Sequence, residues 1–210
     1  MPIYTKVNPE PPTELPEECG VMLLTGTALF PHGSMELNIF EKRYREMLAQ
    51  ALEGNWMFAI ANLIAPEEDP FQSSVEKIGT LGQISSARTL PDGRSMLVLN
   101  GVQAVRFEEW DETSLYPKAK ITAVERVPVA DTQVSSVKSL ILDSAKEHLT
   151  HLPKDVQKQI IAELEGQSTI TALIDNVSHN FIISPELRQT LMTELNDSKR
   201  ASQLIAAISS

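Results

Sequence analysis

The chain has 210 residues, 42% hydrophobic and 22% charged, enough to bury a core in one large domain or two lobes. Its formal charge of −10, from 28 acidic and 18 basic residues, repels polyphosphates at long range, and the lysines and arginines never form a run, so nucleic acid is disfavoured as a general partner. The single cysteine, Cys19, excludes an internal disulfide framework and a multi-cysteine zinc site, and fits a reducing compartment. The N-terminus has no basic region followed by an apolar run, and no stretch reaches the length of a membrane span, so the expectation is a soluble cytoplasmic protein.

Residues 1–18 carry five of the thirteen prolines and predict an extended arm, packed on the surface or left mobile. "VMLLTGTALF" is an apolar run interrupted by Gly26, and "MELNIF" (35–40) alternates as a short strand does. The "PHG" between them reads as a turn or a sharp corner. Phe40, Tyr44, Met47, Leu48, Ala51 and Leu52 form one stripe of an amphipathic helix over 41–52, closed by Gly54. Glu41 and Arg45 have the spacing of an i,i+4 pair. "MFAIANLI" (57–64) is short and apolar enough for a buried strand, and the loop "APEEDPFQSS" follows it.

Strand-like runs at 80–90 and 95–99 are joined by "PDG", a hairpin signal, and Asn100-Gly101 reads as a second hairpin turn leading into "VQAVRFEEW". "YPKAKITAVERVPV" (116–129) alternates again. From Ala130 the period becomes helical, with helices expected over 137–149, 154–164, 170–180, 185–195 and 198–208. Ser184-Pro185-Glu186 is a helix start, with Ser as N-cap and Pro in the first turn. The expected organisation is α+β with segregated elements: an arm (1–18), a β-rich lobe (19–130) and a helical lobe (131–210).

Few residues suggest chemistry. His148 and His151 are three apart on a helix, but "EHLTH" is not H-E-x-x-H and offers no third ligand, so no metal is expected. His32 and His179 stand alone. Ser34 is not in G-x-S-x-G, and "GTLG" lacks the third glycine of a dinucleotide fingerprint, so Gly79 and Gly82 read as a strand bend or bulge. Cys19 reads as a buried or idle thiol.

"LFPHG", followed by "L-x-IFE-x-RY-x-x-M" (Leu37, Ile39, Phe40, Glu41, Arg43, Tyr44, Met47), "GTLGQI" and "LPDGR-x-x-L-V-x-G-x-x-x-x-RF", together resemble the N-terminal, substrate-binding domain of Lon proteases. "LIDNVSHNFIISPELRQTLMTELNDSKRASQLI" resembles the helix pair of the same domain, so the resemblance runs from about residue 19 to 208. It implies a six-stranded, PUA-like pseudo-barrel beside a helical bundle, and no cofactor. The chain departs from the family's Leu-Pro-Leu-x-Pro-like opening, and His32 stands between Pro31 and Gly33. No G-x-x-x-x-G-K-[ST] occurs, so the sequence reads as a stand-alone LON domain lacking ATPase and protease parts.

The resemblance implies a non-catalytic protein- or peptide-binding module for unfolded or exposed segments, an adaptor toward a separate protease or chaperone in protein quality control. The alternative is RNA binding through the PUA-like lobe. Candidate peptide contacts are Phe30, Met35, Met57 and Phe71, with Phe71 the one expected at the surface. Pro31, Phe40, Glu41, Arg43, Tyr44, Asp92, Gly93 and Arg94 are expected to be structural. Phe40 and Tyr44 would be core anchors, and Arg43 would fix the strand-to-helix corner.

Overall fold

The computed structural model describes residues 5–7, 14–65, 70–111 and 113–209, so most of the proline-rich arm and the centre of the "APEEDPFQSS" loop lie outside the described residues. The chain divides into two compact units, Met1–Val124 and Glu125–Ser210. It is a mixed α+β structure.

The first unit holds seven described strands, β1 (Thr5–Val7), β2 (Glu18–Leu24), β3 (Ser34–Ile39), β4 (Met57–Asn62), β5 (Ile78–Thr89), β6 (Ser95–Asp111) and β7 (Lys118–Ala123), with helix α1 (Lys42–Glu53) and the short helix α2 (Phe71–Ser74). The sheet order is β1-β5-β4-β2-β7-β6-β3, and β5 also pairs with β6. That extra pairing makes a ring of β5, β4, β2, β7 and β6, with β1 and β3 attached outside it, so the sheet is partly ring-like rather than a clean barrel. Strand β2 pairs parallel with β4, and the remaining pairings are antiparallel. Register shifts between Leu81 and Gly82, between Ile84 and Ser86, and between Phe107 and Trp110 mark bulges, which coil long strands enough for the ring to close.

Strand β4 explains its own sequence. Phe58 and Ile60 enter one apolar cluster with Tyr44, Met47 and Leu48 of α1, while Met57, Ala59 and Ala61 enter a second cluster fed by all five ring strands. A strand buried on both faces needs an unbroken apolar run. Tyr44 anchors α1, as its spacing predicts, and its hydroxyl accepts the Leu23 N–H at 3.2 Å.

Phe40 corrects the expectation of a core anchor. It lies before the helix begins, so the helical stripe does not govern it, and its side chain is 61% exposed. Gly54 ends α1 with its N–H on the Gln50 and Ala51 carbonyls, but the positive φ of this corner belongs to Trp56 (63°).

Asn100-Gly101 is the second correction, because no turn forms there and β6 runs through it for 17 residues. A Cβ on Gly101 would stand 2.1 Å from the Phe30 carbonyl oxygen, so this glycine serves close backbone approach. The approach is sealed by hydrogen bonds from His32 N–H to the Gly101 carbonyl (2.9 Å) and from Gly101 N–H to the Gly33 carbonyl (2.8 Å). The "PDG" turn forms as predicted: Gly93 has φ +83°, and its N–H bonds the Leu90 carbonyl at 3.0 Å.

The second unit comprises α3 (Asp131–His148), a 3-10 turn (Leu149–His151), α4 (Lys154–Glu165), α5 (Ile170–Phe181), α6 (Pro185–Thr193) and α7 (Asp197–Ile208). Its core includes Ile141, Leu164, Leu173, Ile174, Val177, Leu191 and Leu204. Ser184 caps α6 as expected, accepting the Leu187 N–H at 3.2 Å. Arg200 is fully buried: it donates to Asp197 at 2.9 Å, to the Leu191 carbonyl at 2.8 Å and to Asp175. Asp197 also accepts from the Thr171 hydroxyl at 2.5 Å. Among the described residues no helix is long and apolar enough to cross a membrane.

Candidate peptide-binding surface

The ring leaves part of the β5–β6 hairpin projecting beyond it. Strand β4 pairs with β5 only over Thr80–Gln83, so β5 continues along β6 to Thr89, with β1 on its other side at Ser86–Arg88. Strand β3 lies along the far side of β6, pairing Ser34–Ile39 with Asn100–Ser95. The result is a four-stranded antiparallel flap, β1-β5-β6-β3, built from the two ends of the sheet order.

The pleat sorts the flap's side chains. Ile39, Ala87, Leu97 and Leu99 are buried in the cluster beneath α1, and Met35 and Leu37 pack against it, partly buried. The outward set is Glu36 and Asn38 from β3, Ser86 and Arg88 from β5, and Met96 and Val98 from β6, aligned in the rows Ser86–Val98–Glu36 and Arg88–Met96–Asn38. Met96 is 50% exposed, and Phe40 follows β3 two residues after Met96's partner Asn38. A shallow concavity of about 450 Å³ lies over this region, lined by residues 36–38, 86–88 and 96–98. Apolar side chains framed by alternating charges, on a sheet with two outer strands, suit an extended polypeptide.

The sequence candidates fall elsewhere. Phe30 and Met57 are 0% and 3% exposed and are parts of the interior, so they offer no surface to a ligand in this conformation. Met35 is partly covered on the inner side of the flap. Phe71 sits at the start of α2 with its ring 5.3 Å from that of Trp110, which lies 5.2 Å from Phe107, so it closes an aromatic cluster and is half-buried. The residues missed, Met96 and Phe40, carried a usable signal: Met96 alternates with the apolar Leu97 and Leu99 and so points outward, and Phe40 lies outside the helix.

Of the structural set, Pro31 is buried beside the exposed His32, whose φ of 62° makes the corner. Glu41 pairs with Arg43 (2.8 Å) rather than with Arg45, and the Arg43 guanidinium lies 4.6 Å over the Tyr44 ring. Asp92 and Arg94 pair across Gly93 at 2.7 Å, and the hydrogen bonds from Arg94 hold the Asp92 carboxyl below its ordinary range.

Groups with possible reactivity are otherwise engaged. Burial pushes the Cys19 thiol up to about 12, which keeps it protonated at neutral pH. The Ser34 hydroxyl donates to Asn100 Oδ1 at 3.0 Å. In the helical unit, His151 Nδ1 is 2.9 Å from the His148 carbonyl, and the His148 ring is 5.6 Å from Phe181 at the edge of an apolar cavity of about 400 Å³. Among the described residues no three His, Cys, Asp or Glu side chains gather as a metal site.

Known proteins agree with this architecture. Residues 18–210 match the family described as the ATP-dependent protease La (LON) substrate-binding domain. Lon protease of Dictyoglomus thermophilum is 22% identical over 187 residues, covering 89% of this chain and 24% of that protein. Lon protease of Flavobacterium johnsoniae is 26% identical over 186 residues, covering 86% and 22%. The chain therefore spans about a quarter of the length of these relatives. The solved N-terminal domain of Mycobacterium avium complex Lon protease superposes with a TM-score of 0.70 at 16% identity, covering 91% of this chain and 98% of that one. A Lon N-terminal domain protein from Xanthomonas campestris gives 0.62 at 14% identity, covering 90% and 97%. On a match that takes in both units, the chain belongs to the LON substrate-binding domain family.

Proposed function

We propose that this protein is a non-catalytic recognition module that binds unfolded or exposed polypeptide segments and, as an adaptor, passes them to a separate protease or chaperone. The observation that carries the reading is the match of residues 18–210 to a family defined by substrate binding. The flap supports it physically. An extended segment adds to a strand edge through backbone hydrogen bonds, which are indifferent to sequence, while the exposed Met96 and Phe40 offer apolar contact on the flap's outward face to the chain that flanks the added strand. A module built this way selects for exposed, extended chain rather than for one motif.

The test is fluorescence anisotropy with a reduced, carboxymethylated polypeptide, compared with the same polypeptide folded. Binding of the unfolded form alone is expected, and F40S/M96S is expected to weaken it roughly tenfold, since each residue withdraws apolar contact from the complex. Equal affinity for both forms sinks the reading. So does retention of RNA alone, with an affinity that collapses as salt rises.

A further inference from the structure

The edge of β5 beyond the ring is already occupied by the chain itself. Thr5, Lys6 and Val7 pair antiparallel with Arg88, Ala87 and Ser86, and these contacts make β1 the outer strand of the flap. We propose that Ser86–Arg88 is the strand-addition site for an extended, β-prone polypeptide segment, and that β1 is a tethered stand-in which a substrate must displace. The proposal rests on the recognition reading above and specifies where and against what the segment binds.

Three observations converge on this edge. It is open by construction, because the last bond on the β4 side runs from the Ile84 N–H to the Trp56 carbonyl (2.8 Å) while β5 continues to Thr89. An edge of unpaired N–H and C=O groups is a template for another strand. The segment that fills it, Thr5–Val7, has β-branched residues at two of its three positions, and in the sequence it lies in the proline-free window of residues 3–8 between Pro2 and Pro9. Proline cannot donate to a ladder, so these two residues bound how far the stand-in can extend. Strand β1 is three residues long, at the lower limit for a strand, so few hydrogen bonds hold it and a longer segment gains more by replacing it. The stand-in also defines the ligand's class: an extended segment rich in β-branched residues, running antiparallel to β5 and extending the rows Ser86–Val98 and Arg88–Met96 by one strand.

The experiment uses the full-length chain. T5P/K6P/V7P removes the stand-in's donors without touching β5, and P9V lengthens the window in which it can pair. Affinity for the carboxymethylated polypeptide is measured for both and for the parent, with backbone amide shifts on binding. An arm that holds the edge about nine-tenths of the time lowers apparent affinity roughly tenfold, so the triple proline variant is expected to bind about tenfold tighter. P9V is expected to bind more weakly than the parent, and the amides of Ser86–Arg88 are expected to shift. Equal affinities of the three proteins, or shifts confined to other strands, overturn the proposal and leave the recognition reading standing. Absence of binding by all three overturns both.

Discussion

The β-rich unit is held by pairing between strands distant in sequence, whereas the helical unit bonds its backbone within helices, apart from Val127, which exchanges backbone bonds with Leu195 and Asp197. The buried polar groups differ accordingly. Among the described residues the β-rich unit buries no charged side chain, and its buried Ser74 and Thr80 hydroxyls donate to the Pro70 and Leu29 carbonyls. The helical unit buries Asp175, Asp197 and Arg200 together. The difference follows from where each unit gets its register. A strand ladder fixes neighbours through the backbone, but a helix satisfies its own backbone, so the arrangement of α5, α6 and α7 is specified by side chains, here one guanidinium reaching all three.

Breaking that cluster should have the largest effect on stability. Arg200→Met leaves two carboxylates buried without their cation, and a loss of about 3–5 kcal/mol in urea unfolding is expected, with lost amide protection centred on α5 and α7. Adding Asp175→Asn should return part of the loss, because one unpaired charge disappears. A loss under about 1 kcal/mol, or strict additivity, would mean that apolar packing alone arranges these helices.

The β-rich unit should fail through its backbone instead. Gly101→Ala puts a methyl group 2.1 Å from the Phe30 carbonyl oxygen, and backbone cannot swing aside as a side chain can. About 2–3 kcal/mol of destabilisation is expected, read as a shifted urea midpoint with an unchanged slope. A neutral Gly101→Ala would show that the corner at Phe30–Gly33 is pliant and that the ladder does not fix this unit.

Gly101 also marks where the sequence stops being legible. Asn-Gly between apolar runs reads as a hairpin, and nothing local reveals that a carbonyl from residue 30 needs the space. The helices of residues 131–208 are legible to within a few residues except at the start of α3, since their period and caps are local facts. Strands β3 and β4 and the "PDG" turn are legible for the same reason. Strand β2 ends at Leu24, earlier than its apolar run, because residues 28–30 are buried without joining a strand. The candidate contacts were chosen by apolarity, which singled out Phe30 and Met57, yet only the register of β3 and β6 separates inward from outward residues.

Local devices allow smaller tests of the same contrast. Ser184→Ala removes the acceptor for the Leu187 N–H and should cost about 1 kcal/mol. The effect should appear as faster exchange in the first turn of α6, with β6 and β7 unchanged. Faster exchange spread over the whole chain, or no change in α6, would show that this helix is set by tertiary packing rather than by its cap.

The smallest expected effect lies at the strand-to-helix corner, where the two kinds of order meet. Glu41 and Arg43 are both partly exposed, so their 2.8 Å ion pair is screened, and Glu41→Gln should cost no more than about 0.5 kcal/mol, less at high salt. Arg43 does more than pair, because its guanidinium lies over the Tyr44 ring, 4.6 Å from its centroid, and the Tyr44 hydroxyl in turn accepts from β2. Lysine keeps the charge but not the planar contact, so Arg43→Lys should cost about 1 kcal/mol and keep most of that cost in high salt. If the two substitutions prove equal and vanish together with salt, the corner is held by charge alone. If Arg43→Lys exceeds Glu41→Gln and resists salt, the arginine works by covering the anchor that joins α1 to the ladder, a side-chain device inside the unit otherwise ordered by backbone.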